Sequence, residues 1–135
     1  METDRIVRAF IARTLAKHEW THEAHLRVGL WHALNFADAA ALDLLRERIC
    51  AYNEATGVAN TDTGGYHETL TRFYLHVIRR FVSSADASLP IDDLARALID
   101  QRGDRNLPLC YYSRERLFSV AARREWREPD LAPLP

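Results

Sequence analysis

The apolar residues of this chain return every three or four positions, and no segment alternates with period two. That spacing lines one stripe of an α-helix and leaves no strand with a buried face. It predicts an all-α protein, a single domain over residues 1–135 with a bundle-like fold of about six helices. A chain of this length buries roughly 68% of the surface its unfolded form exposes, enough for one core.

The stripes place the elements. Ile6, Val7, Phe10, Ile11 and Leu15 define a first helix over 3–16, with Thr3 as its cap. Leu26, Leu30, Ala33 and Leu34 form a second stripe, rotated by over ~100° from the first, so one straight helix cannot bury both. A break near Lys17 to Trp20 follows, with Thr21 capping a second helix that ends near Phe36. The third helix runs from Asp38 to Ala55, with Leu42, Leu45, Ile49 and Tyr52 inward and Gly57 at its C-terminal cap. Residues Asn60 to Gly65 are turn chemistry. A fourth helix is expected from Tyr66 to Val82, a fifth from Ile91 to Arg102 stopped by Gly103, and a sixth from Ser113 to Trp126. The proline-rich tail from Pro129 to Pro135 is expected to lie extended over the surface.

Eighteen basic against nineteen acidic residues leave a net charge of −1, without the basic field that nucleic-acid binding needs. No apolar run approaches the roughly 20 residues of a membrane span. With no signal peptide and only Cys50 and Cys110, the expected setting is cytoplasmic, with both thiols free and buried.

Histidine is concentrated: His18, His22, His25 and His32 fall within fifteen residues. On the second helix His22 shares the angle of Ala33 and faces inward, with His25 about 60° to one side. On the fourth helix His67 lies within the inward arc of Tyr66, Leu70, Phe73, Tyr74, Val77, Ile78 and Phe81. If Thr21 and Gly65 are the caps, His22 and His67 both occupy first turns, where the helix dipole disfavours imidazolium. A neutral imidazole ligates metal or acts as a base. The competing reading is a core histidine with both nitrogens hydrogen-bonded.

Glu68 follows His67 near the border of the buried arc. Its plain explanation is an exposed pair with Arg72 four residues on, worth about 0.3–0.5 kcal/mol; beside His67 it is also a candidate acid–base group. Asn53, on the inward side of the third helix, is expected to tie down the loop from Asn60 to Gly65 or to meet a ligand there. Thr61 and Tyr66 are candidate ligand contacts in the same region.

His18-Glu19-Trp20-Thr21-His22 matches the His-Glu-x-x-His signature of zinc proteases, in which two histidines one helical turn apart bind zinc. Here the string straddles the expected break, and no strand is available to align a peptide. Glu19-x-x-His22 echoes half of a di-iron bundle motif, but no second copy exists.

The segments Trp20-Thr21-His22-Glu23-Ala24-His25-Leu26, Asn60-Thr61, Gly65-Tyr66-His67-Glu68-Thr69 and Pro129-Asp130-Leu131 resemble a family of small, functionally uncharacterised bacterial helical proteins. The resemblance spans most of the chain. It implies a shared helical fold and carries no reaction.

The expectation is a small-molecule enzyme whose site lies between the starts of helices two and four. His22, His67 and Glu68 are its catalytic candidates, Asn53, Thr61 and Tyr66 its ligand contacts, and His22, His25 and His67 the ligands for a divalent metal such as zinc or iron. The alternative is a non-enzymatic helical module that binds a ligand or partner and uses these histidines structurally.

Overall fold

The computed structural model describes all 135 residues. Seven α-helices and two short 3-10 turns account for the regular structure, and one isolated bridge, Thr61 to Gly64, is the only β pairing. No helix is long and apolar enough to cross a membrane.

Helix α1 spans Glu2–Ile11 and buries Ile6, Val7 and Phe10. It stops short of the expected Ala16 because Arg13 turns left-handed at φ 61°. The Thr14 and Leu15 N–H groups then both reach the Ala9 carbonyl, at 2.8 and 3.2 Å. No glycine or proline announces this turn, yet it brings Leu15 into the core, where the Tyr52 hydroxyl donates to its carbonyl at 2.9 Å. Thr3 is not the cap of α1. It is buried, accepts Arg27 Nη1 at 2.6 Å and donates its N–H to Asp92 at 2.9 Å.

A 3-10 turn over Lys17–Glu19 fills the expected break. Thr21 then caps α2, His22–Asn35, its hydroxyl accepting the Ala24 N–H at 3.2 Å. Helix α2 is central: α1, α3 (Asp38–Ala55), α4 (Glu68–Ser84) and α5 (Ile91–Arg102) all pack on it. The crossing with α4 is close at Gly29, where a Cβ would stand 2.7 Å from Ile78 Cδ1. At the far end of α2, the Arg79 guanidinium from α4 donates to the Ala33 and Phe36 carbonyls and pairs with Asp38, satisfying a helix C-terminus that would otherwise keep orphan acceptors.

Gly57, at φ 83°, follows α3 as expected. The next segment closes at Gly65, whose φ of 78° and contact space suit no side chain, a Cβ there lying 2.6 Å from the Ala59 carbonyl.

After α5, a 3-10 turn over Leu107–Cys110 leads into two short helices, α6 (Arg114–Leu117) and α7 (Val120–Arg124). The expected single sixth helix is split because Ser119 leaves the helix and caps a new one, its hydroxyl accepting the Ala122 N–H at 3.1 Å. The tail is bound to the body: Leu131 N–H donates to the Tyr111 carbonyl, and Asp130 accepts from Ser113 N–H and hydroxyl at 2.8 and 2.6 Å. Both cysteines are free, Cys50 half-buried and Cys110 exposed rather than buried.

The main core joins α1 through α5 around Phe10, Leu26, Leu30, Tyr52, Ile78 and Leu98. A smaller one, Phe73, Val77, Tyr112 and Leu117, sits between α4 and the C-terminal third. Helix α4 contributes to both, so it is buried on opposite sides and an expected single inward arc understates its coverage.

Candidate functional site

Between the two cores lies a cavity of about 690 Å³, walled by α2, α3, α4 and the segment from Arg105 to Phe118. Its size falls within the roughly 300–1,000 Å³ of small-molecule sites. Leu26, Gly29, Ile49, Leu75 and Ile78 give it an apolar floor, and no aspartate or glutamate lines it. A second depression, about 630 Å³ over the outer face of α1, contains no histidine.

His22 and His25 stand one turn apart at the start of α2 and both line the cavity. The His22 ring meets the Tyr74 ring edge-on at 5.6 Å between centroids. Its Nε2 is buried without a hydrogen-bond partner. Burial, seconded by the Arg105 charge, holds the His22 pKa below its ordinary value, against the nearby Gly103 carbonyl and the charges of Glu23 and Asp104. The His25 ring stacks on Trp20 at 3.7 Å, and its Nδ1 lies 2.7 Å from the Thr21 carbonyl. Because a carbonyl only accepts, Nδ1 carries the proton and the Nε2 lone pair is the one presented outward. Although His25 keeps an exposed side, loss of water around its ring lowers its pKa against the pull of the Thr21 carbonyl, with the Arg105 charge adding to the effect. Both imidazoles are therefore neutral near pH 7.

His67 also lines the cavity, but its ring is committed. It is the N-cap of α4, displacing Gly65 from that role. Its Nδ1 accepts the Leu70 N–H at 3.1 Å, and its Nε2 donates to the Leu117 carbonyl at 2.8 Å. Burial holds its pKa down. With both nitrogens engaged, His67 offers no lone pair to a metal or substrate. No group of three His, Cys, Asp or Glu side chains comes together as a metal set, so the expected His22, His25 and His67 triad is not assembled as a coordination shell.

Glu68 is 6% exposed and does not pair with Arg72. Its carboxylate takes two bonds from Arg46 on α3, at 2.8 and 2.5 Å, and one from the Tyr66 hydroxyl at 2.7 Å. Burial would raise the carboxyl pKa, but these donors outweigh it and hold the pKa low. Arg72 instead stands over the Trp126 ring at 5.0 Å. Glu68 is absent from the cavity wall, whereas Tyr66 lines it. Burial and the carboxylate beside it push the Tyr66 phenol pKa well up, so it stays a donor.

Asn53 lines the cavity and also holds the loop, donating to Asn60 Oδ1 at 3.0 Å, while Asn60 Oδ1 accepts the Tyr66 N–H at 3.0 Å as well. Thr61 is exposed and lies outside the cavity, its N–H closing a turn onto the Gly64 carbonyl at 2.9 Å. His18 is exposed on the 3-10 turn, so the two histidines of the His-Glu-x-x-His string belong to different elements. His32 is fully buried outside the cavity, its Nδ1 donating to Val28 and its Nε2 facing Arg48 at 2.9 Å.

Periodicity did not identify Trp20, Tyr74, Arg105, Arg114 or Phe118 as site residues. Arg105 and Arg114 lie in or beside short irregular segments whose direction no repeat encodes. The chain matches no protein-family model, no curated protein and no solved structure.

Proposed function

We propose that this chain is a small-molecule enzyme in which His22 and His25 act as a proton-transfer pair at one wall of the cavity. The buried, unpartnered Nε2 of His22 carries this reading, because a polar atom left unsatisfied in the interior costs about 1–3 kcal/mol and is relieved when a ligand supplies the partner. His25 fits the second role: Thr21 fixes its tautomer, and its free Nε2 can accept a proton. Tyr66, Tyr74 and Asn53 orient the substrate, and the apolar floor excludes water from the transfer. A divalent metal at this wall would have His22 and His25 as ligands from α2. His67 could join only by giving up both of its hydrogen bonds.

The commitment of His67 and Glu68 to structural bonds favours a second reading, a ligand-binding module without turnover. Hydrolysis of p-nitrophenyl octanoate separates the two, since a neutral imidazole in an apolar cavity activates water or attacks an activated ester. The enzyme reading predicts saturable hydrolysis that falls roughly 10²-fold in His22→Ala or His25→Ala, the low end of general acid–base contributions. Saturable binding with a hydrolysis rate equal in wild type and both variants establishes the module instead.

A further inference from the structure

The charge on the cavity wall goes further than its imidazoles. Arg105 and Arg114 both line the cavity, both are exposed, and neither forms a salt bridge or a side-chain hydrogen bond within the chain. Several guanidiniums find partners, as Arg46 does with Glu68, Arg79 with Asp38 and two carbonyls, and Arg124 with Asp62, and others such as Arg8 and Arg80 stand free in solvent; what sets Arg105 and Arg114 apart is that both line one cavity. With no carboxylate lining the wall, the cavity carries two positive charges in a chain of net charge −1. Arg105 is near enough that its charge acts on both His22 and His25, opposed at His22 by Glu23 and Asp104.

We infer that the cavity selects amphipathic organic anions, with the carboxylate or phosphate head held by Arg105 and Arg114 and the apolar body on the floor formed by Leu26, Gly29, Ile49 and Ile78. The planar guanidinium fork suits either head, and the low-polarity floor strengthens the attraction once the ligand displaces water. The histidines stay neutral beside these cations, so the head goes to the arginines while the imidazoles face the ligand closer to its body. Cations are disfavoured by the same wall, because an ammonium head would meet like charge there, with the nearest carboxylates, Asp104 and Glu23, set behind the lining. This deepens the proposed small-molecule site and rests on its cavity, but not on turnover at His22.

The test compares four ligands with one tail, octanoate, octyl phosphate, octanol and octylammonium, by titrating the ring signals of His22 and His25 in nuclear magnetic resonance. At least one anion binds about tenfold or more tightly than octanol, and octylammonium binds weakest. The preferred anion identifies the head as carboxylate or phosphate. The Arg105→Ala, Arg114→Ala double variant loses about tenfold in anion affinity and keeps octanol affinity within about twofold, since only the head contact is removed. Equal affinity for octanol and both anions, or an anion preference untouched in the double variant, overturns the inference and leaves the enzyme reading standing. Anion selectivity alongside ester hydrolysis insensitive to His22→Ala does the reverse. Failure of all four ligands to move either ring overturns both.

Discussion

The His67 ring bridges the start of α4 to the Leu117 carbonyl 50 positions later, Nε2 donating at 2.8 Å while Nδ1 accepts the Leu70 N–H at 3.1 Å. One side chain thus caps a helix and fastens the C-terminal third to it. His67→Ala removes the cap and leaves the Leu117 carbonyl without its donor, an expected loss of about 2–3 kcal/mol in urea unfolding. His67→Asn restores the cap share alone and should recover about 1 kcal/mol. Unchanged stability in the alanine variant would return His67 to the candidate catalytic groups.

The Arg46 and Glu68 pair joins α3 to the first residue of α4, with Glu68 nearly buried and the arginine 40% exposed. Arg46→Ala leaves the carboxylate with the Tyr66 hydroxyl as its one remaining donor, so it should cost about 2 kcal/mol, below the figure for a fully buried pair because solvent screens the arginine side. Arg46→Met with Glu68→Gln removes both charges and should recover at least half of that loss. A double variant as unstable as Arg46→Ala would mean that the pair contributes through packing rather than charge.

Acid should weaken the fold before its carboxylates titrate. Burial, opposed by the Val28 carbonyl and joined by the Arg48 charge, lowers the His32 pKa to about 4 from its ordinary 6.5. The folded state therefore holds the neutral ring and the unfolded state takes the proton first. Stability is full above about pH 6.5 and declines as pH falls toward 4, by up to about 3 kcal/mol from His32, with His22, His25 and His67 adding in the same direction. Urea midpoints measured across that window should slope downward, and His32→Gln should flatten the slope. Parallel slopes in wild type and variant would place the proton elsewhere.

Much of this arrangement is legible in the amino-acid sequence, and the failures have physical causes. The change in stripe direction between Leu15 and Leu26 required a break, and Thr21 marked where the new helix begins. Asn53 was legible as an anchor for the Asn60 loop. The left-handed Arg13 was not, because a non-glycine residue at positive φ leaves no compositional mark. Nor was the pairing of Glu68 with Arg46, since a sequence window sees Arg72 four positions on and cannot see α3. His67 was legible as inward but not as a cap, a role decided by where the chain enters α4 and by a carbonyl on α6.

The central claim is that His22 and His25, and not His67, meet the ligand. Long-range ¹H–¹⁵N correlation spectra of the histidine rings, recorded at pH 7 during titration with octanoate, test it directly. The account predicts neutral rings throughout, His25 with the proton on Nδ1, ring signals of His22 and His25 that shift saturably together, and signals of His67 and His32 that stay in place. Saturable movement of the His67 ring with His22 and His25 unmoved would contradict it.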